Sequence, residues 1–491
     1  MFLNSFFSRI TGIEAVRRQS IIAFIWQIAF TIVGFLSTMY FAHAVGASVL
    51  GAYFLFLAYY GIIGMVTDGG FGGAAVKRIS EGEEPDAYFS AFFVLHSLFV
   101  TAVLIALIMF RSYFIDLNDA GIFIWLLLAL IISLFFRTVS VGVAGCGKIG
   151  IFSTCAFIND MSRVLIQVAA IFFGYGVAGL AGGFAIGMLA AFIIELRFFD
   201  LHFVRFGWKH LKSLSIFSFW LFLTSSGMLA FSYADTILIG YYLNNANVGV
   251  YRVVLQFTSV MMLITATFHA TIWPKVSRWG KIGDIGSIEK SLSRAFSYSL
   301  ILAIPIFMGG VLLGDKLLYF FYGAEFMYGY STLVILLIAQ LVNIFQVFFT
   351  MYLGALDRQK YAFKVTAFAA MANIVLNIIM IPLYGISGAA VATLATMILN
   401  AILAGRILSR MISIRLELES LLNILKASII MAFIVGCYRL LIPLSNVWFS
   451  LIPVVLGGIV YAILILKFDR NICDELKGIV TQMNLTWPYW L

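Results

Sequence analysis

Apolar residues in this chain come in unbroken runs of about twenty, separated by short polar or basic interruptions, with no sustained alternation of apolar and polar positions. A run of that length crosses the roughly 30 Å hydrocarbon core of a bilayer as a helix. Backbone in lipid must satisfy its own hydrogen bonds, and barrel strands would alternate, so the pattern predicts an all-α polytopic membrane protein. The runs place about fourteen spans, at roughly 20–42, 49–75, 87–110, 119–142, 150–173, 177–197, 215–242, 247–273, 293–313, 328–354, 361–381, 386–408, 422–442 and 447–466.

One stretch, Ala372 to Thr396, shows how the interruptions work. Asn373 and Asn377 stand four apart, on one helix face. Pro382 and Gly385 are expected to break the helix, and Gly388, Ala389, Ala390 and Ala392 open the next with small residues that let helices approach closely in a bilayer. The turn has an echo: Tyr175-Gly176-Val177-Ala178-Gly179 matches Tyr384-Gly385-Ile386-Ser387-Gly388, and the same offset lays Arg197 on Arg406. A second echo pairs Val49–Tyr53 with Asn247–Tyr251. The chain therefore reads as duplicated, with lobes at 20–197 (spans 1–6) and 215–408 (spans 7–12), a basic connector at 198–214, and two further spans within 409–466. Residues 1–19 read as an amphipathic segment on the cytoplasmic surface, and 467–491 as a cytoplasmic tail.

Composition agrees. Apolar residues make up 63% and charged residues 11%, and mean hydropathy is +1.05, which leaves no sizeable soluble domain. No cleavable leader is expected from the first residues. Of the 31 Lys and Arg, only Arg111, Lys316 and Arg439 fall in odd-numbered loops, so both termini are expected in the cytoplasm. The four cysteines have no CxxC spacing and no His partners, which argues against a metal or redox centre.

Charges inside spans are costly and need a reason. Arg137 and Asp160 flank the turn at Cys146 at comparable depth, and a pair between them is expected. Arg163 lies one turn beyond Asp160; it either forms a local i,i+3 pair or faces a cavity as an anion site. Asp235 and Arg252 flank the turn near Asn245, as a structural bridge or a pair that opens for an ion or phosphate. Asp68, in TDGGFGGAAVKR, sits where glycines invite a distorted helix; the run lacks the strand and GK[ST] of a phosphate loop. Glu195 with Arg197 reads as an inner helix end. Asn343, Asn373 and Asn377 either line a cavity or bond helices together, and Pro305 is a candidate kink or hinge in span 9.

The pattern N-x-x-x-N…IP-x-YGI-x-GAA-x-AT at 373–396, with Asp235-Thr-Ile-Leu-Ile-Gly-Tyr and Phe321-Tyr-Gly-Ala-Glu-Phe326, resembles the Wzx-type exporters of lipid-linked oligosaccharides, in the superfamily of the MATE exporters. The resemblance implies a MATE-like fold and a flippase, not an enzyme. It would move an isoprenoid-diphosphate-linked oligosaccharide to the outer leaflet for cell-surface polysaccharide such as O-antigen. Arg163, Arg252 and Arg137 would then be the cations available to a diphosphate, and Asp235, Asp160 and Asp68 the candidates for ion coupling or gating. No cofactor is expected, with Na+ or H+ left open as a coupling ion. The expected partners are membrane lipids, the lipid-linked substrate and glycosyltransferases of the same pathway; no nucleic acid is expected. A MATE-type drug exporter would favour acidic cavity residues, and a membrane glycosyltransferase or polymerase would need a large outer domain that these short loops do not supply.

Overall fold

The structure, a computed structural model, describes the backbone of residues 15–470, 472–474 and 477, and within it the side chains apart from those of 15–25, 27, 28, 30, 115, 116, 220, 221, 223–231, 264 and 270. The apolar face expected over 1–19 and most of the tail beyond 467 lie outside the described residues. Among the described residues every regular element is helical. Among the described residues ten helices are long and apolar enough to cross a membrane, or eleven if one bent pair is a single span. The chain is an all-α, multi-pass membrane protein.

Glycine sets several of the breaks. Helix α1 (Ala15–Asp68) would be roughly 80 Å long if straight, far beyond one crossing. It is split at Gly46, where φ is 75° and ψ is 177°. Gly69 and Gly70, with φ of 54° and 79°, then end it and start α2 (Phe71–Ser80), so the second expected span breaks where its glycines cluster. Next come α3 (Pro85–Met109), the short α4 (Ile115–Asp119), α5 (Phe123–Gly145), α6 (Ile149–Phe172), α7 (Gly176–Glu195) and α8 (Trp208–Tyr242). Beyond them lie α9 (Asn245–Thr258), α10 (Leu263–Ile282), α11 (Ile285–Tyr322), α12 (Tyr330–Ala355), α13 (Gln359–Leu408), α14 (Leu418–Leu441) and α15 (Val447–Phe468). The eighth expected span, one run at 247–273, is a pair of helices bent by 54° just after a 3-10 turn at Ser259–Met262. Span 9 was expected at 293–313, but α11 starts earlier because the Asp284 side chain accepts the Ser287 N–H at 3.0 Å and caps it. The helix continues through buried Pro305.

The chain divides into two compact units, 1–249 and 250–491. In the first, α7 packs on α6 through glycines one turn apart: Gly179 meets Ala170, Gly183 meets Gln167, and Gly187 meets Arg163 and the Asn159 carbonyl. Phe71, Ile79, Phe89 and Leu214 join α2, α3 and α8 in an apolar cluster, against which Phe199 and Leu201 of the connector pack. The connector runs without regular structure from Phe199 to Gly207. Its N–H groups find side chains on α3 instead: His202 donates to Asp86 at 2.8 Å and Val204 to Ser90 Oγ at 2.9 Å.

In the second unit α12 lies along α13, and α14 and α15 pack on α11. Helix α13 breaks at Gly385 (φ 60°, ψ −142°), a conformation open essentially to glycine alone. Pro382, expected to share in that break, stays inside the helix.

Candidate functional site

A polar cavity of the first unit has a volume of about 560 Å³. Four helices supply its chemistry through the ordinary helical repeat. From α5 come Ser133, Phe136, Arg137 and Ser140, and from α6 Phe152, Ala156, Asn159 and Asp160, each set on one face. α1 contributes Tyr60, Thr67 and Asp68, and α3 contributes His96.

Arg137 does not pair with Asp160, as its depth suggested. Its Nε donates to Asp68 Oδ1 at 2.6 Å, across 69 positions of sequence. The reason lies in the glycine run after Asp68. A Cβ on Gly72 would stand 2.6 Å from Asp68 Oδ1 and 3.3 Å from an Arg137 nitrogen, and one on Gly70 would strike the Ser218 carbonyl. The TDGGFGG segment therefore clears room for an ion pair and for the approach of α8. Asp68 is nearly enclosed, with 11% of its side chain exposed, whereas half of the Arg137 side chain is open. Asp160 has its own cation: Arg163 reaches it at 3.2 Å, the local i,i+3 arrangement, and also lies 5.9 Å from the Phe184 ring centre.

Glu195, read from sequence as a helix end, is the last residue of α7. It is completely buried and accepts the Ser140 hydroxyl at 2.5 Å, while its other oxygen has no partner among the described residues. The local signal, an acid beside Arg197, concealed that α5 packs over it. Asn159 Oδ1 and His96 Nδ1 are likewise buried without a partner among the described residues.

The second unit differs. Its cavity, about 610 Å³, is walled almost wholly by apolar side chains of α11, α14 and α15, among them Pro305, Leu313, Met431, Val435 and Pro453. Tyr461 donates to the Ile301 carbonyl at 2.6 Å and ties α15 to α11. One turn past Val435, Arg439 binds Asp315 through two nitrogens, each at 3.0 Å. Asn373 and Asn377 are fully buried within α13: Asn377 donates to Asn373 at 3.0 Å and Asn373 to Thr396 at 3.3 Å. Asn343 is half-buried and donates to Gln340 at 3.0 Å. Asp235 is buried on α8 and Arg252 half-buried on α9. Among the described residues no three His, Cys, Asp or Glu side chains cluster as metal ligands.

Residues 41–329 match the family described as "Polysaccharide biosynthesis protein". The "Probable low-salt glycan biosynthesis flippase Agl15" of Haloferax volcanii is 27% identical over 452 residues, covering 92% of this chain and 96% of the relative. Among solved structures, the lipid II flippase MurJ in an inward closed conformation superposes with a TM-score of 0.77 at 21% identity, over 92% of this chain and all of that one. An inward-facing multidrug resistance transporter of the MATE family follows at 0.64 and 14% identity, over 78% of this chain and 94% of that one. The fold is thus the one shared by lipid flippases and MATE exporters, and the chain belongs to the polysaccharide biosynthesis protein family.

Proposed function

We propose that this protein flips a lipid-linked oligosaccharide, a glycan on an isoprenoid diphosphate carrier, from the cytoplasmic to the outer leaflet for cell-surface polysaccharide synthesis. The observation that carries this reading is one chain with two unlike cavities, a charged, hydrogen-bonding one and a nearly pure hydrocarbon one. An amphipathic substrate with a sugar headgroup and a long tail calls for both. A drug-cation exporter is less well matched, because Asp68 and Asp160 each already hold an arginine.

Fourteen spans in two six-helix lobes plus two, with both termini in the cytoplasm, suit alternating access of the lobes to the two leaflets, and the basic bias of the even-numbered loops supports that orientation. Arg163, Arg252 and Arg137 stay as the cations offered to the diphosphate, and Arg252→Lys tests whether a guanidinium fork is needed at that position. Asp235 and Pro305 stay as candidates for coupling and for a hinge.

The direct experiment deletes the gene and measures surface glycan, with restoration by the full chain. Normal glycan in the deletion strain would refute the flippase reading. A reporter active only outside the cell, fused to Leu491, should stay silent; a strong signal there would overturn the orientation.

A further inference from the structure

We propose that the cavity of the first unit is a subsite for an uncharged saccharide, not the seat of the diphosphate. The inference rests on the flippase reading and narrows it. Arg137, which lines this cavity, already faces Asp68 at 2.6 Å, and Asp160, also in its wall, is held by Arg163 at 3.2 Å. Glu195, another acid, touches its wall through Ser140, and His96 lines it directly. A diphosphate would have to draw Arg137 away and leave the enclosed Asp68 carboxylate unpaired, which is the costly way to break a buried pair.

Sugar hydroxyls make no such demand. Each is both donor and acceptor, so it can bond the open side of the Arg137 guanidinium without displacing Asp68. His96 and Asn159 line the cavity, and each holds a buried polar atom without a partner among the described residues, which a hydroxyl can satisfy after a small rotation of the side chain. Tyr60, Phe136, Phe152 and Phe184 supply apolar surface for the C–H faces of a pyranose ring. The volume of about 560 Å³ has room for a few sugar units, but not for a long oligosaccharide together with its carrier. The cavity accordingly reads part of the glycan, and the ion pairs hold the helices that present its hydrogen-bonding groups.

The test uses the full chain in lipid nanodiscs, carrying Ala156→Cys in a background of Cys146→Ser, Cys437→Ser and Cys473→Ser. Alkylation of the new thiol is followed with maltotriose, a neutral trisaccharide probe, or with inorganic pyrophosphate. Maltotriose is expected to slow alkylation at least about threefold at millimolar concentration, the protection that a site two-thirds filled gives, and pyrophosphate is not. Asn159→Leu should abolish the protection. Protection by pyrophosphate, or by neither probe, overturns the proposal. The alkylation result does not depend on export. A deletion strain that still exports glycan would therefore sink the flippase reading and leave the saccharide site standing.

Discussion

The two hairpins that share a turn, α6–α7 in the first unit and the two halves of α13 in the second, use the same backbone device for different ends. In both, an YG-x-x-G turn is followed by a small-residue face: Gly179, Gly183 and Gly187 in one, and Gly388, Ala392 and Thr396 in the other. The first hairpin turns Asn159 and Asp160 toward a cavity, whereas the second buries Asn373 and Asn377 completely and bonds them to each other and to Thr396. The polar groups of the two hairpins thus line a cavity on one side and fasten helices on the other. Close packing is the shared requirement, because tight approach and hydrogen bonds hold helices together where lipid removes the hydrophobic drive.

The comparison breaks most visibly at the paired glycines. A Cβ on Gly388 would meet the Met380 backbone carbonyl, which cannot rotate away, whereas one on Gly179 meets the Ala170 methyl at 2.7 Å. Gly388→Ala should abolish folded yield in detergent, and Gly179→Ala should cost about 1–3 kcal/mol by thermal denaturation. Equal losses would show that the two turns are not packed differently.

A smaller effect sharpens the division of labour. Asn373→Leu should lower stability by about 0.6–1.7 kcal/mol, the range for hydrogen bonds between helices in membranes, while export per folded molecule stays at the parental level. A loss of export at unchanged stability would move Asn373 from fastening to function.

Arg163 offers a third measure. Since it pairs with Asp160 within one helix, Arg163→Lys should fold and export nearly as the parent does, because a point charge balances a carboxylate adequately. Arg163→Ala should lower abundance more than export per molecule. Loss of export by the lysine variant at parental abundance would mean that the guanidinium fork itself binds substrate.

The smallest effect lies outside both hairpins, at the connector. Lys209, at 2.6 Å, and then His210, at 2.7 Å, hold the Glu84 carboxyl below the usual carboxylate range. A depressed acid stabilises the fold above its unfolded value, and that contribution fades as pH falls through the lower, folded one. Protection of the amides at residues 199–207, taken relative to intrinsic exchange at each pH, should therefore fall in acid below the ordinary glutamate range, and Glu84→Gln should remove that pH dependence. A profile unchanged by the substitution would exclude the pair as the connector's anchor.

What the sequence determined by itself was whatever depends on neighbours in the chain. Hydropathy is a sum over a local window, so runs of about twenty apolar residues declared an all-α membrane protein. The break at Gly385 was legible because that backbone conformation belongs to glycine, and the Asp160–Arg163 pair because one helical turn separates its members. The tertiary structure alone decided who meets whom across helices. Depth along a span suggested Asp160 for Arg137, but rotation about the helix axis, which depth does not contain, turned Arg137 to Asp68. The same limit hid Glu195, whose burial comes from α5 and not from its own surroundings in sequence, and the apolar cavity, which exists only because α14 and α15 pack beside α11. Local pattern fixes which residues can lie in lipid; helix rotation and packing choose their partners, and those partners decide whether an intramembrane charge binds a substrate or holds another helix in place.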